Sequence, residues 1–357
     1  MSRMKRLVVV AAAVLAVNLA VAGSAQAAAI IVLPSGNVAL GVNDTGELNV
    51  LHLEVTPPYP SIGGAFGSVD ATGLRALFAN SPEGLEFTAP GCLCEGWGVA
   101  IASLGLSGYR NRFAGDANVS LLSFTSTASS AVSVVHVVDP SSGSPVLEVT
   151  HSYTPSSSPY LYRADVTIKN LTAGSLGSGP TDLRYRRVMD WDMEPTPFDE
   201  FVTLQGWPAA NLFRTSNDGF QSADPLSDIG GFGGCPTNAN FVKCGPDDHG
   251  ALFDFAFPAL GAGEERTFQI FYGAAPSEAT AMAALATVGA EVFSFGFPNI
   301  PPIGGGPAVA IFAFAGVGGV PVGPSVPEPS TFALMGSGIV GLVAVRFHKR
   351  RRLGVPC

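Results

Sequence analysis

An alternation of apolar and polar residues dominates the central part of the chain. From residue 162 to residue 169, apolar side chains such as Tyr162 and Ile168 occupy every second position, and charged or hydroxyl side chains lie between them. This period of two is typical of a β-strand with one buried face. An apolar-rich run at 146–153 precedes the strand predicted over 160–169. A Ser/Pro-rich segment separates the two runs, so they predict an antiparallel hairpin.

Strand patterns recur along the rest of the chain, and turns rich in Gly and Pro separate them. They cover 37–42 and 47–55, joined by an Asn-Asp-Thr-Gly turn, together with 131–139, 183–194, 201–204 and 308–315. Residues 251–257 and 266–272 are expected to pair with each other. Because the turn residues are scattered and not concentrated in one segment, the pattern predicts an all-β protein, built as a large β-sandwich.

One segment carries the signals of a helix. Ser277 can cap the N-terminus of a helix over residues 278–288, and Gly289 occupies the position where a helix commonly ends. The sequence therefore predicts one short helix within the β-sandwich.

The N-terminal end has the composition of a secretion leader. Basic residues at positions 3, 5 and 6 precede an apolar run over 7–22, and Ala-Gln-Ala follows at 25–27. This order is typical of a signal peptide cleaved between Ala27 and Ala28, and it implies export through the Sec translocon. An uncleaved membrane anchor is the alternative.

The C-terminal end has three parts in a fixed order. Val-Pro-Glu-Pro-Ser-Thr at 326–331 is followed by an apolar run at 332–345 and a cluster of basic residues at 346–352. Basic residues favour the cytoplasmic side of a membrane. The apolar run has 14 residues, whereas a stable span needs about 20. A short span suits a segment that is later removed, although an ordinary membrane anchor is the alternative.

This three-part tail resembles the PEP-CTERM sorting signal, with Pro327, Glu328 and Pro329 as the recognition element. The resemblance implies that an exosortase handles the chain at the inner membrane, and that its destination is the cell surface or the extracellular matrix. The five residues after the basic cluster are a small departure from the family pattern. The resemblance covers the tail alone.

These ends define the predicted organisation of the chain. We expect a signal peptide at 1–27, a β-sandwich domain at 28–319, and a Pro/Gly-rich spacer with the sorting motif at 320–330. A transmembrane sorting helix at 331–345 and a basic cytoplasmic tail at 346–357 follow.

Charge is distributed unevenly between the body and the two ends. Outside the ends, 11 basic and 27 acidic residues remain, which gives a net charge of −16. Nucleic acids and anionic lipids require a basic surface, so the charge argues against both as partners. An acidic body is compatible with solubility and with divalent cations.

Four cysteines lie outside the basic tail, an even number that favours disulfides in an exported protein. Cys235 and Cys244 flank a Pro/Asn-rich loop and are expected to close it, which leaves Cys92 to pair with Cys94. Cross-pairing between the two regions would close longer loops and is one alternative. Zinc is the other, although these spacings differ from the usual C-x2-C pairs.

Acidic residues at two places are candidate metal ligands. Asp190, Asp192 and Glu194 alternate along a predicted strand, and Asp247 and Asp248 lie in a polar turn. On one strand face, three carboxylates could bind calcium, which prefers oxygen ligands. They could also act as an acid/base pair on a glycan. The third possibility is a charged sheet face, where arginines of neighbouring strands pair with the acids.

No catalytic motif stands out in the sequence, which lacks a G-x-S-x-G elbow, an H-E-x-x-H pair, a phosphate-binding glycine loop and an EF-hand. Together with the sorting tail and the turn-rich β pattern, this favours a non-enzymatic structural or adhesive component of the cell surface or matrix, associated with exopolysaccharide. Two alternatives stay open. One is a carbohydrate-binding or carbohydrate-active protein that uses the acidic strand, and the other is a scaffold stabilised by calcium.

Overall fold

The computed structural model describes residues 28–55, 70–79, 84–303 and 306–323. The predicted leader, the sorting motif, the apolar segment at 331–345 and the basic tail lie outside these residues. The described strands are β1 (Ala28–Val32), β2 (Val38–Asn43), β3 (Val50–Leu51), β4 (Ala71–Thr72), β5 (Leu74–Ala76), β6 (Leu85–Glu86), β7 (Gly96–Ile101), β8 (Leu106–Asn111), β9 (Val119–Ser126), β10 (Ala131–Val138), β11 (Pro145–Pro155), β12 (Leu161–Asn170), β13 (Leu183–Asp190), β14 (Glu200–Gln205), β15 (Leu212–Ser216), β16 (Phe241–Asp247), β17 (Gly250–Phe257), β18 (Glu265–Ala275), β19 (Val292–Pro298) and β20 (Val309–Ala315).

Most of these strands belong to two large sheets. The nine-stranded sheet has the order β16-β14-β19-β20-β18-β12-β11-β10-β9, and the five-stranded sheet has the order β15-β17-β13-β7-β8. Two smaller sheets have the orders β1-β2-β5-β6 and β3-β4. The predicted hairpin of 146–153 with 160–169 is confirmed, because β11 and β12 pair in antiparallel register with Tyr153 opposite Ala164.

Aromatic side chains join the two large sheets across one core. The ring centroids of Tyr185 in β13 and Phe268 in β18 are 4.9 Å apart. Those of Phe253 in β17 and Phe314 in β20 are 5.1 Å apart. All four rings lie in the same buried cluster. The chain is therefore mostly β-sheet, with its main core between two antiparallel sheets, as in a sandwich.

The predicted pairing of 251–257 with 266–272 is wrong. Strand β17 pairs with β13 and β15 in the five-stranded sheet. Strand β18 pairs with β12 and β20 in the nine-stranded sheet. The connection between them therefore crosses from one sheet to the other. Both strands direct apolar side chains toward the same core, so the alternation of residues cannot distinguish paired strands from facing ones.

Two predicted strands are shorter in the structure. The turn after β2 is present, since the backbone N–H of Gly46 donates to the carbonyl of Asn43 at 3.0 Å. In the run 47–55, however, only β3 is a strand, and a 3-10 helix over His52–Glu54 follows it. Strand β13 ends at Asp190, four residues earlier than predicted.

The predicted helix is confirmed as α1 (Glu278–Val288). The hydroxyl of Ser277 accepts a hydrogen bond from the backbone N–H of Thr280, and Gly289 ends the helix with φ = 64°. Leu285 of α1 packs in a second buried cluster with Phe295 and other apolar residues of the nine-stranded sheet. Among the described residues, no helix has the length and apolar character needed to span a membrane.

Candidate functional site

Three carboxylates gather where β13 ends, and together they form the acidic cluster. Asp190 is the last residue of β13, Asp192 follows two positions later, and Asp248 lies between β16 and β17. One carboxylate oxygen from each residue lies within 4.8 Å of the others. Asp190 and Asp192 are buried, and Asp248 is half-buried. The structure thus brings together three of the five acids considered as metal ligands.

Backbone contacts hold the acidic cluster together. In the register of β13 and β17, Asp190 lies opposite Gly250, so the preceding turn with Asp248 is close to the end of β13. Beyond the strand, the N–H of Trp191 donates to the carbonyl of His249 at 3.0 Å. The N–H of Asp192 donates to the carbonyl of Phe87 at 2.8 Å. These backbone hydrogen bonds hold the end of β13 against its neighbours, and they therefore bring the three carboxylates of the cluster close together.

Several oxygens of the acidic cluster lack partners. Within the described residues, neither oxygen of Asp192 accepts a hydrogen bond, and the same holds for Oδ1 of Asp190 and Oδ1 of Asp248. No lysine or arginine in the described ranges forms an ion pair with these acids. Native proteins generally pair buried charges with other charges or with metals, so the cluster requires either bound protons or a cation.

The environment of the cluster shifts its acids toward the protonated form. Burial, the carboxylate of Asp190 and the charge of Glu200 raise the pKa of Asp192 to about 11. Burial and the nearby charges of Asp248 and Asp218 raise the pKa of Asp190 well above its ordinary value. Burial also raises the pKa of Asp248. A cation at the cluster would favour the ionised forms and release these protons.

Glu200 is a fourth acid near the cluster. It is the first residue of β14, it is buried, and burial raises its pKa to about 10. Its Oε1 accepts the N–H of His249 at 2.6 Å, and its Oε2 accepts the N–H of Asp199 at 3.0 Å. Sequence patterns did not point to Glu200, which belongs to the other large sheet. The one sequence feature that could have indicated Glu200 is the position of an acidic residue at the start of an apolar strand.

The other two candidate acids lie elsewhere. Oε2 of Glu194 accepts the N–H of Glu86 at 2.8 Å. Asp247 is exposed at the end of β16, and its Oδ1 accepts the N–H of Asp248 at 3.0 Å. Glu194 is separated from Asp190 because the chain leaves the strand geometry at residue 191.

The possibility of a charged sheet face whose acids pair with arginines of neighbouring strands is wrong for Asp190 and Asp192, because no arginine in the described ranges forms an ion pair with either acid. Two arginines of β13 pair with other acids. Arg186 and Arg187 point to opposite faces and both are fully buried. Arg187 pairs with Glu95. Arg186 pairs with Asp254, and its Nη1 also donates to the carbonyl of Ser222 at 2.7 Å. The segment around residue 222 therefore covers the face of β13 that carries Arg186.

One disulfide lies beside the acidic cluster and the other lies beside His249. The structure joins Cys92 to Cys94 and Cys235 to Cys244. Sγ of Cys92 is 3.4 Å from Oδ2 of Asp190. Because this sulfur is bonded to another sulfur, it has no proton to donate to the carboxylate.

The histidine beside the second disulfide does not favour zinc. Nε2 of His249 lies 3.8 Å from Sγ of Cys235, and its Nδ1 lies 2.8 Å from Nδ2 of Asn217. Asn217 also accepts the N–H of Phe232 through Oδ1, at 3.1 Å. This orients the amide so that Nδ2 donates to the ring, and the ring proton is therefore on Nε2. A protonated Nε2 facing a closed disulfide is not a metal ligand.

At the C-terminal side of the body, residues 316–322 form what we call the exit segment. The carboxylate of Glu291 accepts three backbone N–H groups there, from Gly316, Val317 and Gly319, at 3.0, 2.9 and 2.8 Å. The N–H of Val322 donates to the carbonyl of Ala290 at 2.7 Å. The body is therefore held in place up to five residues before Pro327.

The tail beyond the exit segment matches a known family. Residues 325–352 match the PEP-CTERM protein-sorting motif. This confirms the resemblance seen in the sequence, and the matched range contains Pro327, Glu328 and Pro329. The motif indicates that the chain is exported and sorted by an exosortase, with anchored transit through a membrane before display at the cell surface. No family model matched the body of the chain.

Other comparisons add little to this result. A search of curated proteins found no match. One similar solved structure is the Slr1438 protein from Synechocystis sp. PCC 6803, which is 10% identical to the chain. The alignment covers 80% of this chain and 84% of that one with a TM-score of 0.29. A TM-score this low carries no argument about fold or function.

Proposed function

We propose that the mature chain is a non-enzymatic structural component of the bacterial surface, associated with exopolysaccharide. A leader cut between Ala27 and Ala28 takes it through the Sec translocon, and processing then removes the C-terminal tail. The observation that carries this proposal is the position of the sorting motif immediately after a body that is held in place up to Val322.

The short connection between the body and the sorting motif limits the distance between the two during sorting. An extended chain spans at most about 3.6 Å per residue. The five residues from Val322 to Pro327 therefore reach at most roughly 18 Å. An exosortase acting at the motif would work close to the body, beside the membrane. Such an arrangement suits a domain that is displayed as a unit and has no need of a long flexible stalk.

Two properties of the body support a location outside the cytosol. Both cysteine pairs are joined as disulfides, which persist in oxidising compartments. The acidic body resists non-specific adhesion to an anionic envelope because like charges repel.

The test uses the native protein in its own cells. We expect fractionation to find it at the surface or in the matrix, and intact-mass spectrometry to show a chain that begins at Ala28 and lacks the basic tail. Enzymatic removal of exopolysaccharide should release the protein. Full-length protein that remains soluble in the cytoplasm would contradict the proposal, and retention after removal of the polysaccharide would contradict the association.

A second candidate function is action on a glycan at the acidic cluster. It is favoured by the raised pKa of Asp192, about 11, because a carboxylic acid that stays protonated at neutral pH can donate a hydrogen bond to an oxygen of the substrate. A turnover assay on a glycan library separates the two candidates. Saturable hydrolysis that is lost in Asp192→Asn would favour the enzyme and refute the structural role.

A further inference from the structure

We propose that the acidic cluster binds one calcium ion through the carboxylate oxygens of Asp190, Asp192 and Asp248. The site is distinct from the sorting machinery, and its ligands come from the end of β13 and from the turn between β16 and β17.

The first support is the state of Asp192. Its side chain is fully buried, and within the described residues both of its oxygens lack a hydrogen-bond donor. A buried carboxylate without a partner is strongly unfavourable. Two other buried acids of this fold face arginines, since Asp254 faces Arg186 and Glu95 faces Arg187. A bound cation would supply the positive charge that balances the Asp192 carboxylate, as the arginines do for Asp254 and Glu95.

The second support is the chemistry of the donors. Three carboxylates offer up to six oxygens, which meets the six to eight oxygen ligands that calcium takes. Magnesium is generally held by one or two carboxylates and several waters. Zinc favours histidine nitrogen and cysteine thiolate. The nearby sulfurs are closed in disulfides, and the proton on Nε2 of His249 prevents that nitrogen from coordinating a metal.

The third support is the placement of the cluster. Asp248 connects β16 of the nine-stranded sheet to β17 of the five-stranded sheet, while Asp190 belongs to the five-stranded sheet. An ion between them would link this crossover to the end of β13. Because Asp248 is half-buried, the cluster retains an opening toward solvent through which an ion can enter.

Calcium binding can be measured on the purified full-length chain with its disulfides intact. After treatment with a chelator, 2 mM calcium, a concentration of about 100 times a Kd of roughly 20 μM, should raise the melting temperature by about 5 °C or more. Isothermal titration should show one site. Magnesium should produce a smaller shift at the same concentration, and zinc should not compete with calcium.

Two variants separate ion binding from general stability. In Asp192→Asn, the calcium-induced shift should fall below about 1 °C, while the calcium-free protein should melt no lower than the calcium-free parent. Asp228→Asn makes the same change at a fully exposed carboxylate and should keep the whole calcium response. If Asp192→Asn does not fold, Asp248→Asn at the half-buried position serves the same purpose.

Some outcomes would overturn the proposal. These are an unchanged melting temperature and no heat of binding with calcium, a response to zinc alone, and a full calcium response in both Asp192→Asn and Asp248→Asn. Since these measurements use purified protein, such a failure would leave the surface role intact. Cytoplasmic localisation would likewise not affect the calcium site.

Discussion

Arg186 and Asp254 face each other across β13 and β17 as a buried ion pair with two parallel contacts. Nε and Nη2 of the guanidinium lie 2.6 and 2.8 Å from the two carboxylate oxygens. Asp192 is just as deeply buried, yet it has no such cation among the described residues. One domain therefore contains buried acids whose charge is balanced by arginine and a cluster of acids whose charge is not.

The buried pair should contribute far more to stability than an exposed one. Replacing Arg186 by Met leaves Asp254 buried without a partner, and we expect a loss of about 3–5 kcal/mol in the free energy of unfolding. Lys169 pairs with Glu265 on the surface, so Lys169→Met should cost about 0–1 kcal/mol. Urea denaturation of both variants checks the difference. Equal losses would contradict the importance of burial.

Without calcium, the protein should lose stability as pH rises from 7 to 9. The pKa values of Asp192 and Glu200 are raised to about 11 and about 10. The folded state therefore keeps protons that the unfolded state has released above pH 4–5. Each retained proton lowers the free energy of unfolding by about 1.4 kcal/mol per pH unit. Burial lowers the pKa values of His151 and His249, so both are neutral in the folded state throughout this window. In the unfolded state they lose their last protons between about pH 7 and 8, which opposes the slope slightly at its lower end.

Urea denaturation in chelator at pH 7, 8 and 9 measures this slope. Asp192→Asn should flatten it, because one retained proton is removed, whereas Asp228→Asn should leave it unchanged. Saturating calcium should also reduce the slope, since the bound ion replaces the protons. A slope that is flat or positive in the chelated parent protein would be evidence against the raised pKa values.

Gly219 should be essential to the geometry of the acidic cluster. A β-carbon added there would lie 2.6 Å from Cα of Asp190 and 2.6 Å from its Oδ1, too close for any real contact. Gly219→Ala should therefore displace Asp190 and weaken calcium binding by about tenfold or more, a change of about 1.4 kcal/mol. Gly230 lies in the same loop, and a β-carbon added there would have no neighbouring atom closer than 3.8 Å, so Gly230→Ala is the matched control. Calorimetric titration compares the two, and similar affinities would refute the role of Gly219.

Glu291 should control the local stability of the exit segment. Hydrogen bonds to a charged acceptor contribute about 1.5–3 kcal/mol each, and Glu291 accepts three from this segment. In Glu291→Ala, amide exchange at Gly316, Val317 and Gly319 should accelerate by about tenfold or more. Hydrogen-exchange mass spectrometry measures this. Glu278→Ala, which removes an acid paired with Lys243, should leave exchange in the exit segment unchanged.

The sequence by itself determined several local elements and the C-terminal sorting motif. Ser277 and Gly289 define α1 because capping depends on neighbouring residues alone. The hairpin of β11 and β12 follows from the period of two and a short turn. The sorting motif could also be found from local order, because Pro327, the apolar run and the basic cluster are consecutive.

Only the tertiary structure decided which strands face each other and where the acids meet. Strands β17 and β18 are consecutive but belong to opposite sheets. The sequence pattern could not show this, because two strands direct apolar side chains into the same core whether they pair within one sheet or face each other from opposite sheets. Asp190 and Asp248 are 58 positions apart, whereas Glu194, four positions from Asp190, is excluded from the cluster. Alternation predicts which side chains share a face only while the strand continues, and this strand ends at Asp190.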